Sequence, residues 1–218
     1  MREQEPVFYG SQWSITVVCG ASGTGRSRFA YALAAFYRGH VIDTSDILDS
    51  VRAMTGPDRH PELFYQDAED DRRGFPIRPL AGTAREFADA RMRAADALAP
   101  AIRAVISRQP RLYRNSSSYP HTVVTGRHAT PALAPDFAVV LTEDEDQILA
   151  NLKAKTRHDV SYDLRVQTSL LVQQELTRRR HNDAGARTVF VSARPWSDSV
   201  DRARGEMNDY WDMDNALG

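Results

Sequence analysis

A β-branched, apolar run, Trp13–Cys19 (WSITVVC), leads directly into Gly20-Ala21-Ser22-Gly23-Thr24-Gly25-Arg26-Ser27, and from there into residues with helical spacing. Few folds accept that junction. A continuous apolar run reads as a strand buried on both faces. The glycines after it allow a turn in which successive backbone N–H groups point to one spot. In the following SRFAYALAAFYRG, Phe29, Leu33 and Phe36 share one helical face and Gly39 marks the stop. A second strand reads in HVID, and TSDILDSVRAM opens with residues suited to capping a helix. Strand, helix, strand, helix at this spacing predicts an α/β fold, and 218 residues suffice for one large core, so the chain 1–218 is read as a single domain with its core over about 13–194.

The glycine-rich octet follows G-x-x-x-x-G-K-[ST] at every fixed position but one, with Arg26 in the lysine place. In such a loop the amides of Gly20, Ser22, Gly23, Thr24, Gly25, Arg26, Ser27 and Arg28 surround phosphate oxygens, and the helix start adds its positive end. Ser27 offers a hydroxyl ligand to Mg²⁺, and Arg26 a cation that spans the outer phosphates of ATP. Arginine keeps the charge but is planar and bulkier than lysine. Among the 28 basic residues only Lys153 and Lys155 are lysines, so arginine at position 26 follows the habit of the whole chain.

A formal net charge of -1 and a pI near 6.6 argue against nucleic acid or an anionic membrane as the main partner and favour a small-molecule acceptor. Cys19 is the lone cysteine, no apolar segment reaches membrane length, and the first residues do not read as a leader, so the expected compartment is the cytoplasm. Further along, residues 55–82 are polar and proline-broken, which reads as a mobile binding segment. A long helical stretch over Thr83–Gln109 is expected to kink or split at Pro100. HTVVTG, FAVVLT and RTVFVSA read as strands, giving about five, mainly parallel; a tight turn or single helical turn is expected between the first two of these. EDEDQILANLKAK, SYDLRVQTSLLVQQELTRRRHNDAG and DSVDRARGEM read as helices.

Four blocks, GASGTGRSRFAYALA, VIDTSDILDSVRAM, VVTGRHATP and YDLRVQTSLLVQQEL, in that order and at those intervals, resemble 2-phosphoglycerate kinase and its relatives among the P-loop small-molecule kinases. The likeness runs from Ser14 to about Arg194. It implies a P-loop kinase fold with a helical lid over about 153–166, an ATP site, and phosphoryl transfer to a hydroxyl. Two positions depart from the family pattern: Arg26, and Thr125, where a carboxylate more usually precedes Gly126.

Asp43 and Asp46 leave the second strand beside the phosphate loop. One of them can orient Mg²⁺-bound water or accept the proton of the attacking hydroxyl, with Asp46 also facing substrate; helix capping is the plainer role for both, and for Ser45. Arg127 and His128 follow the third strand at the sheet's carboxyl edge, where open α/β folds bind ligands, and suit an anionic substrate. Arg157 and Arg165 resemble lid arginines that close over transferring phosphate. A nucleoside or nucleoside-monophosphate kinase shares the loop and lid, and a nucleotide-binding scaffold without turnover is the reading that Arg26 and Thr125 favour. The sequence leaves room for a homodimer.

Overall fold

The computed structural model describes residues 14–64, 82–108, 121–133, 136–155, 162–182, 187–192 and 195–216. Five strands form one parallel sheet in the order β2-β3-β1-β4-β5: β1 (Ser14–Gly20), β2 (His40–Asp43), β3 (His121–Thr125), β4 (Phe137–Thr142) and β5 (Arg187–Ser192). Because every strand runs the same way, the C-terminal ends of β2, β3, β1 and β4 share one edge. Asp43 pairs in register with Thr125, and Gly20 with Leu141.

Among the described residues six helices cover the sheet: α1 (Arg26–Phe36), α2 (Thr44–Met54), α3 (Ala84–Ile106), α4 (Glu145–Lys155), α5 (Tyr162–Asn182) and α6 (Trp196–Ala216). Side chains alternate along each strand, so the apolar runs feed two cores. Val17, Cys19, Val124 and Val140 pack with Leu98 and Ile102 of α3 and Leu176 of α5. Val18, Val123, Val139 and Leu141 pack with Phe29 and Leu33 of α1 and Met207 of α6. The result is the α/β sandwich that the strand and helix alternation predicts.

Two expectations need correction. α3 is not split: it runs as one helix with Pro100 inside it, although proline removes a helical N–H bond and crowds the preceding turn. Leu98, Ile102 and Ile106 are buried on either side of Pro100, which lies exposed, so burial of the apolar stripe holds the helix through the defect. A capping box between Thr83 and Glu86 fixes its start.

The beginning of the 55–82 segment is packed. Pro61–Leu63 forms a short 3-10 turn, Leu63 and Phe64 are buried, and the buried Arg52 donates from Nε to the Leu63 carbonyl at 2.6 Å. Residues 65–81 lie outside the described residues. The connection between β3 and β4 holds a 3-10 turn at Pro131–Leu133, and β1 lies between the two strands.

Candidate active site

β1 ends at Gly20 beneath the glycine-rich turn. Gly23 sits at φ 86, a left-handed conformation open to glycine at little cost, and Ile148 of α4 packs against it. Gly25 is the N-cap of α1 and contributes no side-chain cap, so no side chain of that residue answers the first N–H groups of the helix. With the helix's positive end, that arrangement suits an anion. The loop is held from within by buried Thr24, whose hydroxyl donates to the Ala21 carbonyl at 2.9 Å. From outside, Asn151 Nδ2 of α4 donates to the Gly23 carbonyl at 2.5 Å, with Gln147 Nε2 donating to Asn151 Oδ1 behind it.

Arg26 is half-buried, and its Nη1 donates to the Gly20 carbonyl at 2.6 Å, curling back over the loop that carries it. Ser27 is exposed on the first turn of α1. The side chain of Arg28 lines a cleft of about 340 Å³ with Ala32, Ser197, Val200 and Asp201. Burial pushes the Cys19 thiol well up, so it stays protonated and inert beneath the loop.

Across the carboxyl edge, Asp43 is the N-cap of α2: its Oδ1 accepts the Ser45 N–H at 2.8 Å. Capping thus falls to Asp43 rather than to Asp46 or Ser45. Asp46 stands exposed in the first turn of α2, where a negative charge complements the helix dipole. Thr125 reaches toward the Val18 carbonyl at 3.5 Å, and the strand-following turn begins at Gly126 with φ 121. The hydroxyl of buried Thr44 accepts the His128 N–H at 3.2 Å, tying the β3 turn to the start of α2.

His128 is 1% exposed, and neither ring nitrogen has a hydrogen-bond partner among the described residues. Burial, and then the cations of Arg127, Arg91, Arg52 and Arg26, hold its pKa well below the usual histidine value. It is therefore a neutral imidazole, offering one donor and one acceptor rather than a charge to a substrate anion. Because the folded pKa is depressed, the stability His128 contributes is complete above about pH 6.5 and declines as the pH falls below it, where the unfolded chain takes up the proton. His128→Leu keeps the side-chain size and removes two unpartnered polar atoms. Its thermal midpoint at pH 7 is expected at or above that of the parent, and its folding equilibrium should lose roughly tenfold less per pH unit of acidification. Equal acid sensitivity of the two proteins would contradict this.

Arg127 is half-buried beside His128, and Arg165 is half-buried in the first turn of α5. Arg157 lies outside the described residues, as do all of residues 156–161 in the lid region. Arg52, which belongs to the VIDTSDILDSVRAM block, anchors the Pro61–Leu63 turn and lies over the Phe64 ring.

Sequence reasoning missed Arg91. It occupies a core position in the stripe Ala84, Ala88, Arg91, Ala95, Leu98, Ile102 of α3, and is 5% exposed. Its Nη2 donates to the Gly20 carbonyl at 3.0 Å, and its Nε and Nη2 donate to the Arg127 carbonyl at 3.2 and 3.1 Å. An arginine at an apolar register position was the available signal.

Ser27 and Asp43 present oxygen ligands, the donor type Mg²⁺ prefers, and that ion commonly completes its shell with water and substrate phosphates. Among the described residues no group of three His, Cys, Asp or Glu side chains is placed to hold a metal ion. The oxygen donors of Ser27 and Asp43 are chemically compatible with Mg²⁺ that keeps water and phosphate in its shell.

No family model and no curated protein matches the chain. Among solved structures, a gluconokinase from Sinorhizobium meliloti 1021 superposes with a TM-score of 0.51 at 18% identity, covering 95% of this chain and 98% of that one. An uncharacterized protein from Eubacterium ventriosum ATCC 27560 gives a TM-score of 0.42 at 14% identity, with 93% and 99% covered. With the strand order, the first likeness shows a shared α/β fold, a parallel sheet flanked by helices. No helix among the described residues is long and apolar enough to cross a membrane.

Proposed function

We propose that this protein is a cytoplasmic, Mg²⁺·ATP-dependent kinase that phosphorylates a hydroxyl of a small anionic metabolite. The observation that carries the reading is the turn between β1 and α1: its left-handed glycine and its helix start without a side-chain cap sit at the same sheet edge as Asp43 and Arg127. Donor and acceptor groups thus have neighbouring places. The loop amides bind the nucleotide phosphates, Arg26 neutralises charge on the transferring group, and Ser27 holds the metal, which supplies further charge neutralisation. Asp43 uses one carboxylate oxygen on the α2 cap and has the other to take the proton from the attacking hydroxyl. The acceptor hydroxyl oxygen bonds the γ-phosphorus as the bond to the β,γ-bridging oxygen breaks, and ADP leaves. Arg127 and Arg165 favour a negatively charged acceptor. Both 2-phosphoglycerate, from the sequence resemblance, and gluconate, from the neighbour's name, are hydroxylated acids.

One observation favours a second reading, a nucleotide-binding protein without turnover: Arg26 is turned onto the Gly20 carbonyl rather than outward. Calorimetric titration of Mg²⁺·ATP into the parent and Arg26→Ala tests the nucleotide site. Binding by the parent, weakened tenfold or more in the variant, about 1.4 kcal/mol, is the expected outcome. Absence of binding in both proteins would remove the reading.

A further inference from the structure

Two guanidinium groups converge on one carbonyl. The Gly20 oxygen receives Arg26 Nη1 at 2.6 Å and Arg91 Nη2 at 3.0 Å, the first from the loop's own end and the second from α3. A buried arginine carries a desolvation cost that only well-placed hydrogen bonds offset, and Arg91 directs its bonds to backbone oxygens on both sides of the site. Arg26 meanwhile faces two demands: the carbonyl it binds in this structure, and the phosphates its position in the loop calls for.

We propose that Arg91 is a positioning residue that releases Arg26 for nucleotide phosphate by keeping the Gly20 carbonyl hydrogen-bonded when Arg26 leaves. A buried carbonyl that loses a charged donor loses substantial stabilisation unless another donor remains. With Arg91 present, the swing of Arg26 leaves one guanidinium in place. Without Arg91, Arg26 is the remaining guanidinium on that oxygen, and a nucleotide must compete with the carbonyl for it. This inference rests on the reading of the loop as a nucleotide-phosphate site, and it gives the unusual arginine a partner that a lysine-bearing loop has less need of, since a lysine ammonium is compact and cannot fork.

The test is a double-mutant cycle on Mg²⁺·ATP affinity, measured by calorimetry on four full-length proteins: parent, Arg26→Ala, Arg91→Met and the double variant. Each single variant is expected to bind roughly tenfold more weakly, and the double variant no more weakly than Arg26→Ala alone, because release of an absent Arg26 has nothing to cost. Losses that multiply in the double variant, or an Arg91→Met protein that binds as the parent does, would overturn the inference while leaving the nucleotide site standing. A parent that binds no Mg²⁺·ATP would overturn both. If Arg91→Met does not fold, Arg91→Lys replaces it: its ammonium serves one carbonyl at a time, so a smaller loss with the same failure to multiply is expected, and a multiplicative loss counts against the inference. A purely structural role for Arg91 would lower the thermal midpoint without coupling its effect on affinity to residue 26.

Discussion

Asp43→Asn is expected to lower kcat by roughly 10²–10⁴-fold with almost no change in folding stability. The separation is possible because the observed cap and the proposed base role use different oxygens of Asp43. Oδ1 caps α2 by accepting the Ser45 N–H, a bond that asparagine makes about as well as aspartate. What asparagine lacks is the basicity needed to take a hydroxyl proton and the negative charge needed at a metal. Asp43→Ala removes both jobs, and should add a stability loss of about 1 kcal/mol to the kinetic one. Steady-state kinetics beside urea unfolding of the three proteins distinguishes the roles. A kcat within about threefold of the parent in Asp43→Asn would reduce Asp43 to a helix cap.

The second large effect belongs to Gly126→Ala. Gly126 has φ 121, outside the range L side chains favour, and a Cβ there would lie 2.5 Å from Asp43 Oδ1 and 2.8 Å from the Thr44 backbone nitrogen, with the Thr44 hydroxyl nearer still. Strain and overlap together predict a loss of about 2–4 kcal/mol. Because the displaced atoms belong to the α2 cap, the substitution should also weaken activity through Asp43. Gly56→Ala is the matched comparison: nothing lies within 4 Å of a Cβ built at Gly56, so its midpoint should stay near the parent's. Denaturant midpoints at constant m measure both. Equal stability of the two variants would mean that the β3 turn does not hold the start of α2 as described.

Elements whose pattern is local were legible before the fold was seen. β2 and α2 fall on the residues HVID and TSDILDSVRAM, since a short apolar run, a cap and an amphipathic stripe are each complete within a few neighbours. Pro100 misled because propensity speaks for one residue, whereas the burial of α3 on both sides of it is a property of the whole helix. The order β2-β3-β1-β4-β5 lies in pairings between residues 50 to 121 positions apart, which periodicity does not encode. The glycine-rich loop was readable as a motif, but its present state was not. The folding of Arg26 onto Gly20, the clamp from Arg91, and the support from Ile148 and Asn151 all depend on α3 and α4 arriving from distant sequence. His128 was placed at the right edge of the sheet, yet its withdrawal from solvent depends on what packs over it.

Phosphoryl transfer is read out as ATP-dependent ADP release with Mg²⁺ across a panel of small hydroxylated acids, including 2-phosphoglycerate and gluconate, with the phosphorylated product identified by mass. The account predicts saturable transfer to at least one of them, lost in Asp43→Asn and in Ser27→Ala. Tight Mg²⁺·ATP binding with no product from any acceptor would contradict it and leave a nucleotide-binding protein in its place.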